Sequence, residues 1–286
     1  MNTLSAERRA QVLRTLLEGN SVRATVRLTG VAKGTVLKLL ATAGRAARVY
    51  QYDALRDLDI KRVQVDELWS FCYSKAKNVP AEHSGTFGYG DVWTFTALDP
   101  ASKLVPCWHI GQRSGADATL FLQDLAGRMR NRIQLTTDGF RPYVEAVATA
   151  FGEGVDYAQL IKLFATPATE KGIDAQRRYS PPACTGTRVI PIVGDPEPQH
   201  IGTSHVERNN LTMRMQMRRF TRLTNGFSRK VENLGHAVAL HFLWYNFGCL
   251  HGRHRYYTPA QAAGVTDHRW TIEEVVALLN SQRGSN

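Results

Sequence analysis

Three carboxylates pose the chemical question: Asp66 in "VQVDELW", Asp138 in "LTTDGF" and Glu207 in "SHVERNN". Asp66 falls within an expected strand, Asp138 closes another, and Glu207 lies on the first turn of an expected helix. If the two strands are neighbours, Asp66 and Asp138 come side by side, and like charges that close repel unless a cation joins them. Mg²⁺ takes a few carboxylate oxygens and fills its remaining positions with waters and phosphates. Two such ions about 3.5–4 Å apart can clamp both the attacking and the leaving oxygen of an in-line phosphoryl displacement. Each acid alone has a bland explanation, a turn former at a strand end or a partner for a helix dipole. Their combination points to a metal triad of Asp66, Asp138 and Glu207.

Glu207 opens a segment that is otherwise basic, with Arg208, Arg214, Arg218, Arg219 and, further on, Arg222. Arg214 lies seven residues after the glutamate and shares its helix face. The glutamate is suited to metal and the arginines to DNA phosphates. The net charge of +11 and a pI of about 9.7 also favour a polyanionic partner. That charge is unevenly placed. Residues 1–60 hold ten Lys/Arg against five Asp/Glu, residues 205–255 hold nine against two, and residues 61–204 are balanced. Two basic flanks around a neutral body imply two phosphate-contacting surfaces.

The elements that must position these residues follow from periodicity. Residues 4–18 carry Leu4, Val12, Leu13, Leu16 and Leu17 at helical spacing. Two short helical segments then flank "TGV" at 29–31, the pattern of a helix-turn-helix. Its second helix is expected from about Ala32 to Ala43, with Lys33, Thr35 and Lys38 directed at a DNA major groove. The expected organisation is a helix-turn-helix domain over 1–45, a linker over 46–60, a catalytic domain over 61–250 and a C-terminal helical extension over 251–286. Within the catalytic part the spacing predicts strands at 61–74, 91–99, 103–111, 132–138 and 155–164, with helices at 114–129 and 141–152. The fold class is therefore α/β, a five-stranded mixed sheet flanked by helices and preceded by an all-α domain. Residues 165–203, rich in Pro, Gly and Thr, read as a long loop or insertion.

Four scattered cysteines form no C-x-x-C pair, which argues against a zinc ribbon or disulfide framework and fits a reducing cytoplasm. The apolar run at 237–250 is too short to cross a bilayer, so a buried helix is expected there and no membrane partner. Glu67 should point away from Asp66 on the opposite face of its strand, toward solvent or a cross-strand pair. The tyrosines of "GRHRYY" at 252–257 lack the arranged basic cluster that a covalent tyrosine nucleophile would need.

"VDELWSF", "TTDGFRPY" and "HVERNNLTMRMQMRRFTRLTNGFSRKVENL" resemble the three motif blocks of bacterial insertion-sequence transposases, most closely the founding family of small insertion sequences. The resemblance spans roughly residues 60–265 and includes a "YN…H…TPA" ending at Tyr245, Asn246, His251, Thr258 and Pro259. It implies a ribonuclease H-like fold, shared with retroviral integrases, with the Asp66 and Asp138 strands adjacent. It implies two Mg²⁺ ions (Mn²⁺ as substitute) on Asp66, Asp138 and Glu207. It also implies DNA contacts from Arg214, Arg218, Arg219 and Arg222. The partners would be double-stranded DNA, both terminal inverted repeats and target, and further copies of the chain in a dimer or larger synapse. The setting would be a bacterial cytoplasm, at the nucleoid. Alternatives are a ribonuclease H-like resolvase that cuts without joining, and a DNA-binding protein from a decayed element, suggested by Cys249 where arginine is usual.

Overall fold

The computed structural model describes residues 4–164, 184–222, 224–252 and 256–281. Three helices come first: α1 (Ala6–Leu17), α2 (Val22–Thr29) and α3 (Lys33–Ala54). Ser5 and Ser21 cap the first two by accepting the N–H of Arg8 and Ala24. Gly30, at φ 68°, makes the left-handed turn that ends α2. The expected boundary at residue 45 cuts through α3, which continues over most of the expected linker. Ala43, Ala46, Ala47 and Gln51 are buried along it, so a face of small residues continues the helix where charge had suggested a linker.

A six-stranded mixed sheet follows, in the order β3-β2-β1-β4-β5-β6. Its strands are β1 (Arg62–Cys72), β2 (Gly90–Leu98), β3 (Trp108–Gly111), β4 (Ile133–Thr137), β5 (Val155–Phe164) and β6 (Cys184–Val193). β1–β4 and β4–β5 are parallel and the other pairs antiparallel. Two expectations are corrected here. β6 lies inside the stretch read as a loop. Its residues are largely exposed and Pro191 interrupts its donors, so it lacked the pattern of a buried strand, yet both features are tolerated at a sheet edge. β3 is shorter than the expected 103–111. Pro106 has no N–H, and the Val105 N–H and C=O are both taken by the buried side chain of Asn246, at 3.0 and 2.9 Å. The rest of the expected loop, 165–183, lies outside the described residues.

Helices α4 (Gly115–Ala126) and α5 (Pro142–Phe151) cover one sheet face. On the other lie α6 (Ser204–Gln216) and α7 (Val231–Phe247), against Leu68, Cys72 and Val92. Short α8 (Pro259–Ala262), with Thr258 and Gln261 in a capping box, leads to α9 (Ile272–Ser281). Residues of α1, α3, α7 and α9 share a continuous core with the sheet, so the N-terminal helices are built into the body. Among the described residues no helix is long and apolar enough to cross a membrane.

α3 and α7 approach closely at Gly44. A Cβ placed there would lie 2.4 Å from the His236 Cα and 2.6 Å from its carbonyl oxygen. Because the obstacle is backbone, Gly44→Ala should force the helices apart and cost about 1–3 kcal/mol, read as a lower urea midpoint at unchanged slope.

Candidate active site

β1 pairs with β4 only from Arg62 to Gln64, opposite Gln134 to Thr136. Beyond that point β1 continues paired with β2, joined by Ser228 at Cys72, and it parts from the end of β4 to leave a cleft. Asp66 and Glu67 come two and three residues after the last pair, and Asp138 is the first residue past β4. One carboxylate oxygen from each of the three lies within 4.8 Å of the others, an arrangement that could hold a metal ion. The Asp138 carboxylate also accepts the Phe140 N–H at 2.9 Å, which turns the chain out of the strand. Gly139 leaves room for Ile161, 3.1 Å from where its Cβ would stand.

The expectation for Glu67 is corrected. Its side chain does start on the face opposite Asp66, but with no β4 neighbour at that level it meets Asp138 within the cleft. It is 2% exposed, and Arg113 lies 3.4 Å from its Oε2 and 3.7 Å from Asp138 Oδ2. The guanidinium is sandwiched over Phe140 (4.3 Å) and Trp93 (5.1 Å).

Burial and the Asp138 charge push Asp66 up to about 6 and Glu67 to about 7. Asn210, whose Nδ2 donates to Asp66 Oδ2 at 2.8 Å, and the Glu67 N–H, donating to Oδ1 at 2.9 Å, favour the charged form of Asp66. These bonds do not outweigh desolvation. Neither Glu67 Oε1 nor the buried Tyr143 hydroxyl beside it has a well-aligned hydrogen-bond partner among the described residues.

Glu207 stands apart from this cluster. Both its oxygens accept from Lys162 Nζ, and Oε1 also accepts from the Thr203 hydroxyl. It still faces the cleft, because its charge raises Asp66 and Asn210, one turn on, bonds Asp66 directly. The N-terminus of α6 is tied to β1 by Gln64, whose Oε1 accepts the His205 and Val206 N–H at 3.0 and 3.2 Å. Arg214 is half-buried on the same helix, drawn toward Asp66 and repelled by Arg222.

The helix ends at Gln216, with Met217 extended at φ −119°, so the other arginines do not continue its face. Arg218 and Arg222 are exposed. Arg219 donates to Ser228 Oγ at 2.5 Å and lies near Cys72, so in this structure its guanidinium is partly engaged within the protein. Lys33, Thr35 and Lys38 are all exposed at the start of α3. Sequence reasoning missed Gln64, Arg113, Lys162 and Asn210. Only Asn210 had a signal, three residues after Glu207 and four before Arg214 on one helical stripe.

No family model matches the chain, and no curated protein does. Among solved structures, it is similar to the piggyBac transposase synaptic complex with hairpin DNA. The TM-score is 0.46 at 8% identity, covering 100% of this chain and 74% of that one. It is also similar to the Mos1 strand transfer complex, with a TM-score of 0.25 at 10% identity over 85% and 76% of the two chains.

The raised acids fix the sign of a pH effect. Asp66 titrates near 3.8 when unfolded and near 6 when folded, and Glu67 near 4.5 and 7. The folded state therefore holds more protons between those values, and its stability falls as pH rises from about 4 to about 7. Asp66→Asn should remove part of that fall and leave the protein on the order of 2 kcal/mol more stable than wild type at pH 8, measured by denaturant unfolding. Millimolar Mg²⁺ at pH 8 should raise the melting temperature of the wild type and leave an Asp66→Asn, Asp138→Asn variant unmoved.

Proposed function

We propose that the protein is a transposase of the Asp-Asp-Glu type, encoded by a bacterial insertion sequence and built on a ribonuclease H-like sheet. It would cut a DNA strand at the element's end and join the exposed 3′-OH to target DNA. The observation that carries this reading is the meeting of Asp66 and Asp138, from adjacent parallel strands, at a cleft faced by the helix of Glu207, Asn210 and Arg214.

The donor set fits a hard divalent cation. It offers carboxylate oxygens alone, with Glu67 Oε1 lacking an aligned hydrogen-bond donor and with the pKa values of Asp66 and Glu67 raised by burial and by the Asp138 charge. Asp66 and Asp138 would hold Mg²⁺ or Mn²⁺ with Glu67 in reach, and Glu207 would join on exchanging its Lys162 contact. Bound ions would stabilise the charge that develops on the attacking and leaving oxygens of the phosphate.

The chain's own groups supply the rest. Asn210 orients the Asp66 carboxylate. Arg214, on the helix that Asn210 bonds to Asp66, would bring positive charge to the phosphate, and exposed Arg218 and Arg222 would extend the grip along the backbone. Binding should weaken steeply with salt. Lys33, Thr35 and Lys38 would read the terminal inverted repeats from the start of α3, as a recognition helix does. Two ends have to be joined, so a dimer or larger synapse is the working assembly, in the cytoplasm at the nucleoid.

Alanine at Asp66, Asp138 or Glu207 should lower Mg²⁺-dependent cleavage by on the order of 10³-fold, with binding to end DNA retained. Cleavage that survives in any one variant removes that residue from the triad, and cutting without strand-transfer products would favour a resolvase-like nuclease. Since α3 belongs to the core, end recognition is better probed by Lys33→Glu with Lys38→Glu than by truncation. That pair should weaken end-specific binding at least about tenfold while sparing cleavage of nonspecific DNA.

A further inference from the structure

We propose that the outer end of β1 is a stacking platform for the unpaired bases of single-stranded DNA. The proposal rests on the reading of the acidic cleft as a DNA-processing site and adds a second ligand surface beside it. Strand alternation puts Glu67, Trp69 and Phe71 on one sheet face. At the level of Glu67 that face is roofed by Tyr143 and by Phe95, its partner on β2. One step outward, Trp69 opposite Trp93 and then Phe71 are only partly covered, with the Trp69 and Phe71 rings 5.8 Å apart. An aromatic path thus leads away from the carboxylates along the strand.

Its far end is unusual in two respects. Tyr73 is 37% exposed, yet its backbone sits at φ 66°, a left-handed conformation that strains a bulky residue. Its N–H is held by the Ser228 carbonyl at 2.9 Å, and its ring meets Tyr89 at 5.0 Å, which in turn stacks on His83 at 4.0 Å. Glycine would make the same turn without strain, so the turn alone does not account for a tyrosine, whose partly exposed ring joins those of Tyr89 and His83. The segment supplying Ser228 is 217–230, which also brings Phe227 to within 4.8 Å of Phe71. That segment holds five Lys/Arg and no acid, and Arg218, Arg222, Arg229 and Lys230 are exposed.

A run of partly exposed rings, with exposed cations on the one segment that packs beside it, matches the chemistry of a single strand, whose phosphates seek charge and whose bases seek stacking partners. Paired bases in a duplex present only their edges, so the occupant is an unpaired stretch next to the scissile position.

The test is fluorescence anisotropy with a labelled oligodeoxythymidine of about 12 nucleotides, compared with a duplex of equal length, on the full chain without divalent metal. Tyr73→Ala should weaken single-strand binding roughly tenfold and leave duplex binding within about twofold, while Tyr73→Phe should bind as wild type. Tyr73→Gly, which relieves the strained backbone, should lose single-strand binding to the same extent, so that misfolding is not the cause. Unchanged oligodeoxythymidine binding in the alanine and glycine variants, or an equal loss on duplex, overturns the proposal. Cleavage by Asp66→Ala would instead overturn the transposase reading and leave this result standing.

Discussion

The structure depends on where one parallel pairing stops. β1 and β4 run together for three residue pairs and then part, and everything of chemical interest lies in the gap. Had β4 followed β1 for two more residues, Asp66 and Glu67 would point to opposite faces of a closed sheet, with Asp138 paired in its ladder. Because it stops, acids from both faces share one space. Burial of Asp66 and Glu67, together with the Asp138 charge beside them, raises both above the usual carboxylate range.

Three of the protein's own groups compensate that charge. Arg113 spans Glu67 and Asp138, Asn210 serves Asp66, and Lys162 occupies Glu207. Each comes from a different element, so the carboxylates are positioned by the sheet, by α6 and by the turn after β3 together. Gln64 connects two of these supports, because the side chain that caps α6 sits two residues before Asp66 on the same strand. A shift of α6 is therefore felt at Asp66 through two bonds.

The legible parts of this arrangement were those written in local pattern. β5 begins and ends where alternation places it, Ser114 caps α4, and the acids stand out only in combination, since each alone has a bland explanation. What escaped were features decided by distant partners. α3 outlasts its expected end because α7 accepts its small-residue face, and β6 forms because β5 offers an edge. Arg113 reaches the cleft from a loop whose sequence carries no sign of its destination. Glu67 was misjudged because the alternation rule assumes a strand flanked on both sides, and here one flank is missing. The end of the Glu207 helix at Gln216 also escaped, because the basic run continues past Met217, where the backbone turns extended.

One consequence follows from α3 being a single rod. Its 22 residues extend about 33 Å, from the exposed lysines at its start to its contact with the central strands' supporting helix, with no break between. The close backbone contact at Gly44 locks that rod to α7. A polymer gripped at the tip of α3 and threaded into the cleft would span a length dictated by the protein rather than by its own sequence. On the proposed function the molecule would work as a caliper, with the number of base pairs from the recognised letters to the cut set by its skeleton.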